Sequence, residues 1–224
     1  MRLSVVIPAL NEATQISALL TDLAPARAAG RELVLVDGGS TDGTAALAAP
    51  AVDRVLQAPR GRSAQMNAGA KVATGDVLWF LHADTRLPPE ASEVLLDACR
   101  QGATWGRFDV RLSGRLPVLR LVERAMNLRS RLTGIATGDQ GIFVTRAAFA
   151  TIGGFPEIPL MEDIAISKAL RRQAGPACLD TRILTSSRRW EERGAIRTIL
   201  LMWRLRLAYA LGADPTGLAR RYGR

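Results

Sequence analysis

Apolar residues in this chain fall into short unbroken runs, separated by stretches where they recur every three to four positions. The first run, Leu3–Pro8 (LSVVIP), predicts a buried strand. After the turn Ala9-Leu10-Asn11-Glu12, the spacing of Ile16, Leu19, Leu20 and Leu23 predicts a helix from Ala13 to Leu23. Glu32–Asp37 (ELVLVD) is a second strand ending on a carboxylate, and Ser40 or Thr41 can cap the helix after it. Val52–Leu56 is a weaker third strand, and Gly61–Ala73 (GRSAQMNAGAKVA) reads as a helix. It leads into Val77–Thr85 (VLWFLHADT), the stretch around which the rest is organised. Its largely apolar residues Val77 to His82 predict a strand buried on both faces, and Pro88-Pro89 prevents any continuation.

The second half is less regular. Pro88–Gln101 is a predicted helix, Arg107–Leu112 (RFDVRL) alternates like a half-exposed strand, and Leu116–Leu132 is a basic helix with Leu119, Val122, Met126 and Leu128 on one side. Gly138–Thr145 (GDQGIFVT) reads as another strand containing polar Asp139 and Gln140 near its start. A helix runs from the acids Glu162-Asp163 to about Gln173. The last predicted helix, Ala195 to Leu211, is apolar almost all round except Arg197, Arg204 and Arg206. It is too short and too charged for a membrane span, which leaves burial against the domain or a place on a membrane surface.

Strands alternating with helices in the first 85 residues predict βαβ units, hence an α/β chain with a Rossmann-like, mostly parallel sheet. The usual phosphate loops are missing: no GxGxxG follows the first strand and no GxxxxGK[ST] occurs. Carboxylates stand there instead. Asp37 and Asp84 end strands, and Glu12 follows the first one. Carboxylates repel phosphate unless a divalent cation lies between them. This pattern predicts a nucleotide with its base and ribose at Asp37 and Asn11-Glu12, and its diphosphate bridged through a metal to Asp84. Asp84 as a plain helix cap, and Glu162-Asp163 as plain helix-start acids, are the competing readings.

Length and composition change the picture at two points. The 224 residues suit one domain, and Cys99 and Cys178 lack the spacing of a zinc site or a disulfide framework. Met1-Arg2 leads straight into a strand pattern, so no secretory signal is read and a cytoplasmic location is expected. Charge is unevenly spread: residues 1–112 hold 11 basic and 12 acidic residues, residues 113–224 hold 19 and 9. The basic half points to phosphates, whether of a substrate, a membrane surface or a nucleic acid. Nucleic acid is not an expected partner, because only Trp190, Trp203 and Tyr209 interleave with the arginines.

The segments VIPALNEA, VDGGSTDGT, GRSAQMNAGA, FLHADT and FVTRAAFATIGGFPEIPLMEDIAISKALRR, in this order, resemble the family 2 glycosyltransferases of GT-A fold. The resemblance runs from Val5 to about Arg172. HADT, TGDQ, RRWE and LLMWRLRLAY are most similar to a bacterial subgroup associated with radical-SAM and selenium-related proteins. It implies a single GT-A domain over residues 1–224, with a nucleotide-binding half (1–112), an acceptor and catalytic half (113–190) and basic C-terminal helices (191–224). It further implies that Pro8, Ala9, Asn11 and Glu12 line the nucleotide, and that Asp37 accepts a hydrogen bond from the base, typically uracil. Arg62, Gln65 and Asn67 would lie near base, ribose or diphosphate. Asp84 matches the metal-binding acid of the DXD-type motif, with Mg²⁺ or Mn²⁺ as the ion. Asp163 matches the catalytic base, with Glu162 beside it. In one departure His82 takes the first acid's place; with Ala83 it is expected at the nucleotide.

The resemblance therefore implies an inverting, hexosyltransferase-like reaction: a sugar leaves a nucleotide diphosphate, UDP favoured, for an acceptor hydroxyl deprotonated by Asp163. Asp139, Gln140, Arg189 and Trp190 would shape the donor-sugar and acceptor side, Trp190 by stacking on a sugar unless it is simply core. An anionic membrane surface is a further partner to consider. The alternatives are a nucleotidyltransferase, which would want a basic Gly-rich loop where PALNEA stands, and a non-catalytic nucleotide- or anionic-surface-binding protein on a degenerate fold.

Overall fold

The unbroken apolar runs become strands with a hydrophobic core on each face. These are β1 (Leu3–Ala9), β2 (Glu32–Asp37) and β4 (Val77–Phe80), while the weaker β3 (Arg54–Gln57) stands largely exposed at the sheet edge. Leu3, Val5, Ile7, Leu33, Leu35, Val77 and Trp79 pack against α1 (Ala13–Ala28), α2 (Thr44–Ala48) and, past α3 (Arg62–Val72), α4 (Ala91–Arg100). Val6, Val34, Val36, Leu78 and Phe80 point the other way, onto Met66 and Ala70 of α3. A strand whose successive side chains are all buried has no polar face to show, which is why these runs do not alternate. Helix α3 lies very close to the sheet: a Cβ at Gly69 would come within 2.4 Å of Val6 Cγ1.

The later elements are β5 (Trp105–Leu112), α5 (Pro117–Thr133), β6 (Phe143–Thr145), α6 (Arg146–Thr151), α7 (Glu162–Arg171), β7 (Ala177–Thr185), α8 (Arg188–Arg193), α9 (Ala195–Ala210) and α10 (Pro215–Tyr222). The sheet has 7 strands in the order β3-β2-β1-β4-β6-β5-β7. Among the described residues only β6 runs antiparallel to its neighbours in the sheet. From β1 the chain proceeds outward to β2 and β3, then returns to place β4 on β1's other side. Such a reversal opens a crevice at the carboxyl ends of β1 and β4. The computed structural model describes residues 1–223, without the side chains of residues 189, 192, 193, 195 and 196.

Several expectations need correcting. Helix α1 continues through Pro25 to Ala28, with Pro25 exposed in its last turns. Neither Ser40 nor Thr41 caps α2: Gly43 stands at its N-cap, Ser40 Oγ accepts from Asn11 N, and Thr41 N donates to Asn11 Oδ1. The helix expected from Pro88 begins at Ala91. Strand β5 is buried except at Arg111, because Arg107 and Asp109, two residues apart on one face, pair with each other. The strand expected from Gly138 is a 3-10 turn, Gly138–Gln140, followed by the shorter β6. β7 lies outside the expected set: as an edge strand it is half exposed, and a register shift opposite Phe108/Asp109 breaks its alternation.

Candidate active site

The crevice at the ends of β1 and β4 widens into a cavity of about 1570 Å³, walled on its far side by α5, α9 and α10. Pro8, Ala9 and Glu12 enter from the end of β1, and Arg62 and Gln65 from α3. His82, Ala83 and Asp84 come from the loop after β4, and Asp139, Asp163 and Trp190 from the second half. The HADT segment is a tight turn closed by Thr85 N donating to His82 O at 3.1 Å. It is tied down on its far side, where Arg86 exchanges backbone hydrogen bonds with Leu184 of β7 at 2.7 and 2.9 Å.

Carboxylates gather here. Burial pushes the Asp84 carboxyl above its ordinary range, against the opposing pull of Arg62, and the negative charge of Asp139 pushes it further. Glu12 is likewise raised, by burial and then by Asp84, with Arg188 and Arg62 counteracting. Asp84 thus bears on Glu12 and Asp139 on Asp84 across the cavity, and Arg62 and Arg188 are the cations that act on both Glu12 and Asp84. Asp163, in the first turn of α7, lines the same cavity. Its Oδ2 accepts from Gly138 N at 3.1 Å and its Oδ1 from Ile164 N at 2.7 Å, which leaves lone pairs on both oxygens for a substrate. The residue before the pair, Met161, is buried and left-handed at φ 71°, an uncommon conformation for a side chain of its size. Glu162 is buried and, with His82, Gly138 and Asp163, borders a small void next to the main cavity.

A cation fits the carboxylates chemically: two acids in low-dielectric surroundings raise the cost of each other's charge, and a divalent ion would remove that cost. Among the described residues no group of three or more His, Cys, Asp and Glu side chains is arranged to hold a metal. An ion there would draw its remaining ligands from a bound diphosphate and water.

Five expected site residues have other work. The Asn11 side chain accepts from Thr41 N at 2.9 Å and so holds the loop after β2, its backbone left-handed at φ 55°. Asp37 turns onto that loop, accepting from Gly39 N at 3.1 Å and Ser40 N at 3.0 Å. Gln65 borders the cavity, but its amide donates to Ala9 O and Val36 O, both at 2.8 Å, joining β1 to β2. Asn67 exchanges hydrogen bonds with the Phe155 backbone at 2.8 and 2.9 Å and stays off the cavity. Gln140 is fully buried and accepts from Thr137 N at 3.0 Å, closing its own turn. Trp190 lines the cavity while packing beside Leu112, Leu119 and Val122. The Arg189 side chain lies outside the described residues. Arg129, Arg188 and Arg206, not singled out as site residues from sequence, line the cavity. Arg188 lies in RRWE and Arg206 in LLMWRLRLAY, whereas Arg129 carries only the signal of the excess arginine in the second half.

The family model described as "Glycosyl transferase family 2" matches residues 4–150. An undecaprenyl-phosphate 4-deoxy-4-formamido-L-arabinose transferase of Pseudomonas paraeruginosa is 36% identical over 155 residues, covering 62% of this chain and 44% of that protein. A PGL/p-HBAD biosynthesis glycosyltransferase of Mycobacterium tuberculosis is 42% identical over 91 residues, covering 38% of this chain and 36% of that protein. The chain spans less than half the length of these curated relatives. The fold is shared with solved structures. S. aureus TarS 1–349 in complex with UDP aligns with TM-score 0.68 at 21% identity, over 83% of this chain and 60% of that one. Glucosyl-3-phosphoglycerate synthase from M. tuberculosis, in complex with Mn²⁺, UDP and glucosyl-3-phosphoglycerate, aligns with TM-score 0.66 at 20% identity, over 88% and 76%. The fold is therefore of the GT-A type anticipated from the sequence motifs.

Proposed function

Because the chain belongs to glycosyl transferase family 2, we propose that it moves a sugar from a nucleoside-diphosphate donor to an acceptor hydroxyl, with inversion at the anomeric carbon. The observation that carries this reading is the convergence of Glu12, Asp84 and Asp139, facing Arg62 and Arg188, on the cavity that Asp163 also lines. Pro8, Ala9 and the His82-Ala83 turn form the wall for the nucleoside, and Asn11, Asp37 and Gln65 fix the ends of β1 and β2 behind it. Arg62 and Arg188 receive the diphosphate. Asp163 takes the proton from the acceptor hydroxyl as that oxygen attacks from the face opposite the diphosphate. General-base help of this kind is worth about 10²–10⁴-fold. Mg²⁺ or Mn²⁺ at Asp84, when bound, neutralises charge developing on the leaving diphosphate.

UDP is the first nucleotide to test, being the one held by the fold neighbours. HADT, TGDQ, RRWE and LLMWRLRLAY support the radical-SAM- and selenodomain-associated subgroup. Among the described residues no helix is long and apolar enough to cross a membrane. The relative that acts on undecaprenyl phosphate, together with the exposed leucines and arginines of α5 and α9, supports a peripheral position on an anionic membrane face.

Thermal-shift assays with UDP, GDP, TDP and CDP, each with and without Mn²⁺, test the donor half. One nucleotide should stabilise the protein in a metal-dependent way, and Asp84→Ala should abolish that effect. Asp163→Asn should keep the nucleotide shift and lose about 10²-fold or more in turnover once an acceptor is available. Near-normal turnover would remove Asp163 from the role of base.

A further inference from the structure

The cavity has a second cationic pole that the donor reading leaves unused. Arg129 of α5 and Arg206 of α9 reach its wall from different helices. Nη1 of Arg129 donates to Ile135 O at 3.2 Å. Nε and Nη2 of Arg129, and Nε of Arg206, are buried with no hydrogen-bond partner among the described residues. A buried charged donor is ordinarily paired, because water is no longer there to satisfy it. Burial and the adjacent Arg206 charge bring the Arg129 guanidinium down to about 10, against the pull of Asp139 and Asp163. Arg62 and Arg188 bear on Asp84, whereas Asp139 and Asp163 bear on Arg129. Arg129 thus lies within electrostatic reach of Asp163, the residue assigned as the base.

The wall around that pole is apolar. Leu121, Val122 and Met126 of α5 line the cavity, as do Ile199, Met202 and Trp203 of α9. Leu121 and Trp203 are 68% and 67% exposed, so this apolar strip continues from the cavity to the molecular surface. A wholly polar acceptor would leave the strip in water. A neutral hydrocarbon would leave the unpartnered Nε and Nη2 of Arg129 and Nε of Arg206 without an acceptor.

Resting on the glycosyltransferase reading, we propose that the acceptor is an anionic amphiphile, its phosphate or carboxylate group seated by Arg129 and Arg206 and its hydrocarbon chain leaving between α5 and α9. The anionic group is an anchor and takes no part in bond making; the reacting hydroxyl stays with Asp163.

Isothermal titration of the full chain with dodecyl phosphate, below its critical micelle concentration, tests this directly. Dodecanol and glycerol phosphate serve as the two halves of the probe. Dodecyl phosphate is expected to bind at least tenfold more tightly than either. Arg206→Gln and Met202→Glu should each weaken it at least tenfold and leave the metal-dependent UDP shift unchanged. Arg206→Lys, which keeps the charge, should stay within about threefold of the parent and covers the case of a misfolded Gln variant. Arg111→Gln removes an exposed charge on β5 and should change nothing. Equal affinity for glycerol phosphate would overturn the amphiphile in favour of a small anionic metabolite, and equal affinity for dodecanol would overturn the anchor. Equal losses in Arg206→Gln and Arg111→Gln would reduce the binding to adsorption on a basic protein and overturn the site. Loss of the UDP shift in the parent, with dodecyl phosphate binding intact, would support this subsite and overturn the donor reading instead.

Discussion

His82 and Gly138 constrain each other. A Cβ on Gly138 would lie 2.7 Å from His82 Nε2, so a glycine is needed where the ring meets the turn. The same glycine's N–H holds Asp163 Oδ2, which makes this packing contact part of the positioning of the base. Gly138→Ala should therefore cost about 10²-fold in turnover, with a small change in melting temperature; kinetics beside a thermal melt would check it. Asp22 fixes the segment after Asp84 in a comparable way. It accepts from Arg86 Nε at 2.6 Å and from Leu87 N at 3.0 Å. Burial works against its charge, yet Arg86 and the Leu87 N–H hold its carboxyl below the ordinary range. Because the folded value is lowered, the associated stability is present above the unfolded pKa of about 3.9 and is lost as pH falls through the folded value. Asp22→Asn should cost about 1 kcal/mol at neutral pH, Arg86 being half exposed, and the gap should close in acid. Urea melts over a pH series would show the closure. Asp84 and Asp163 were legible in the sequence because they follow apolar runs or begin helices. The amides of Asn11, Gln65, Asn67 and Gln140 were not, because their partners are backbone groups that only the fold brings near.

Among the elements, β5 and α5 show how a strand can lack a neighbour and still be satisfied. β6 pairs with Trp105 and Gly106, so among the described residues the edge of β5 beyond them on that side has no strand partner. Side chains of α5 take its place. Asn127 Oδ1 accepts from Val110 N at 2.9 Å and its Nδ2 donates to Val110 O at 3.0 Å. Glu123 accepts from Leu112 N at 3.0 Å, and Arg120 donates to Leu112 O at 2.6 Å. Residues 120, 123 and 127 lie on one helical face, so a stripe that reads as solvated charge is the strand's hydrogen-bonding partner. Asn127→Leu would leave both Val110 groups unpaired and should cost about 2–4 kcal/mol; a denaturant midpoint with unchanged slope would register it. This substitution of side chains for a strand explains why β5 looks half-exposed in sequence and is buried in fact. It also shows why the central strands were easier to read: their burial is apolar on both faces, and that pattern is written locally.

At the scale of the whole molecule, the excess of arginine and the two faces of α9 belong together. Leu205 of α9 packs against Leu160, Met161, Ile164 and Leu218, with Leu201, Ala208 and Tyr209 at the margin of that cluster. Leu200, Trp203, Leu207 and Leu211 recur on its other side and are exposed. Of the two readings open from sequence, core packing thus accounts for one face only. Exposed Arg197 and Arg204 flank the second face, and on α5 the exposed Leu121, Leu128 and Leu132 stand near exposed Arg124. An apolar strip edged by arginine suits the boundary of an anionic bilayer, where each basic side chain contributes about 1 kcal/mol. The open end of the acceptor path proposed between α5 and α9 would then face the lipid from which an amphiphilic acceptor is drawn. The protein should float with phosphatidylglycerol-rich vesicles and stay behind with phosphatidylcholine. The double variant Trp203→Glu/Leu207→Glu should remain in the aqueous fraction, and raising salt to about 1 M, where the screening length falls to about 3 Å, should weaken flotation of the parent. Equal flotation with both vesicle types would show that charge does not select the surface, and the basic half would then need another partner.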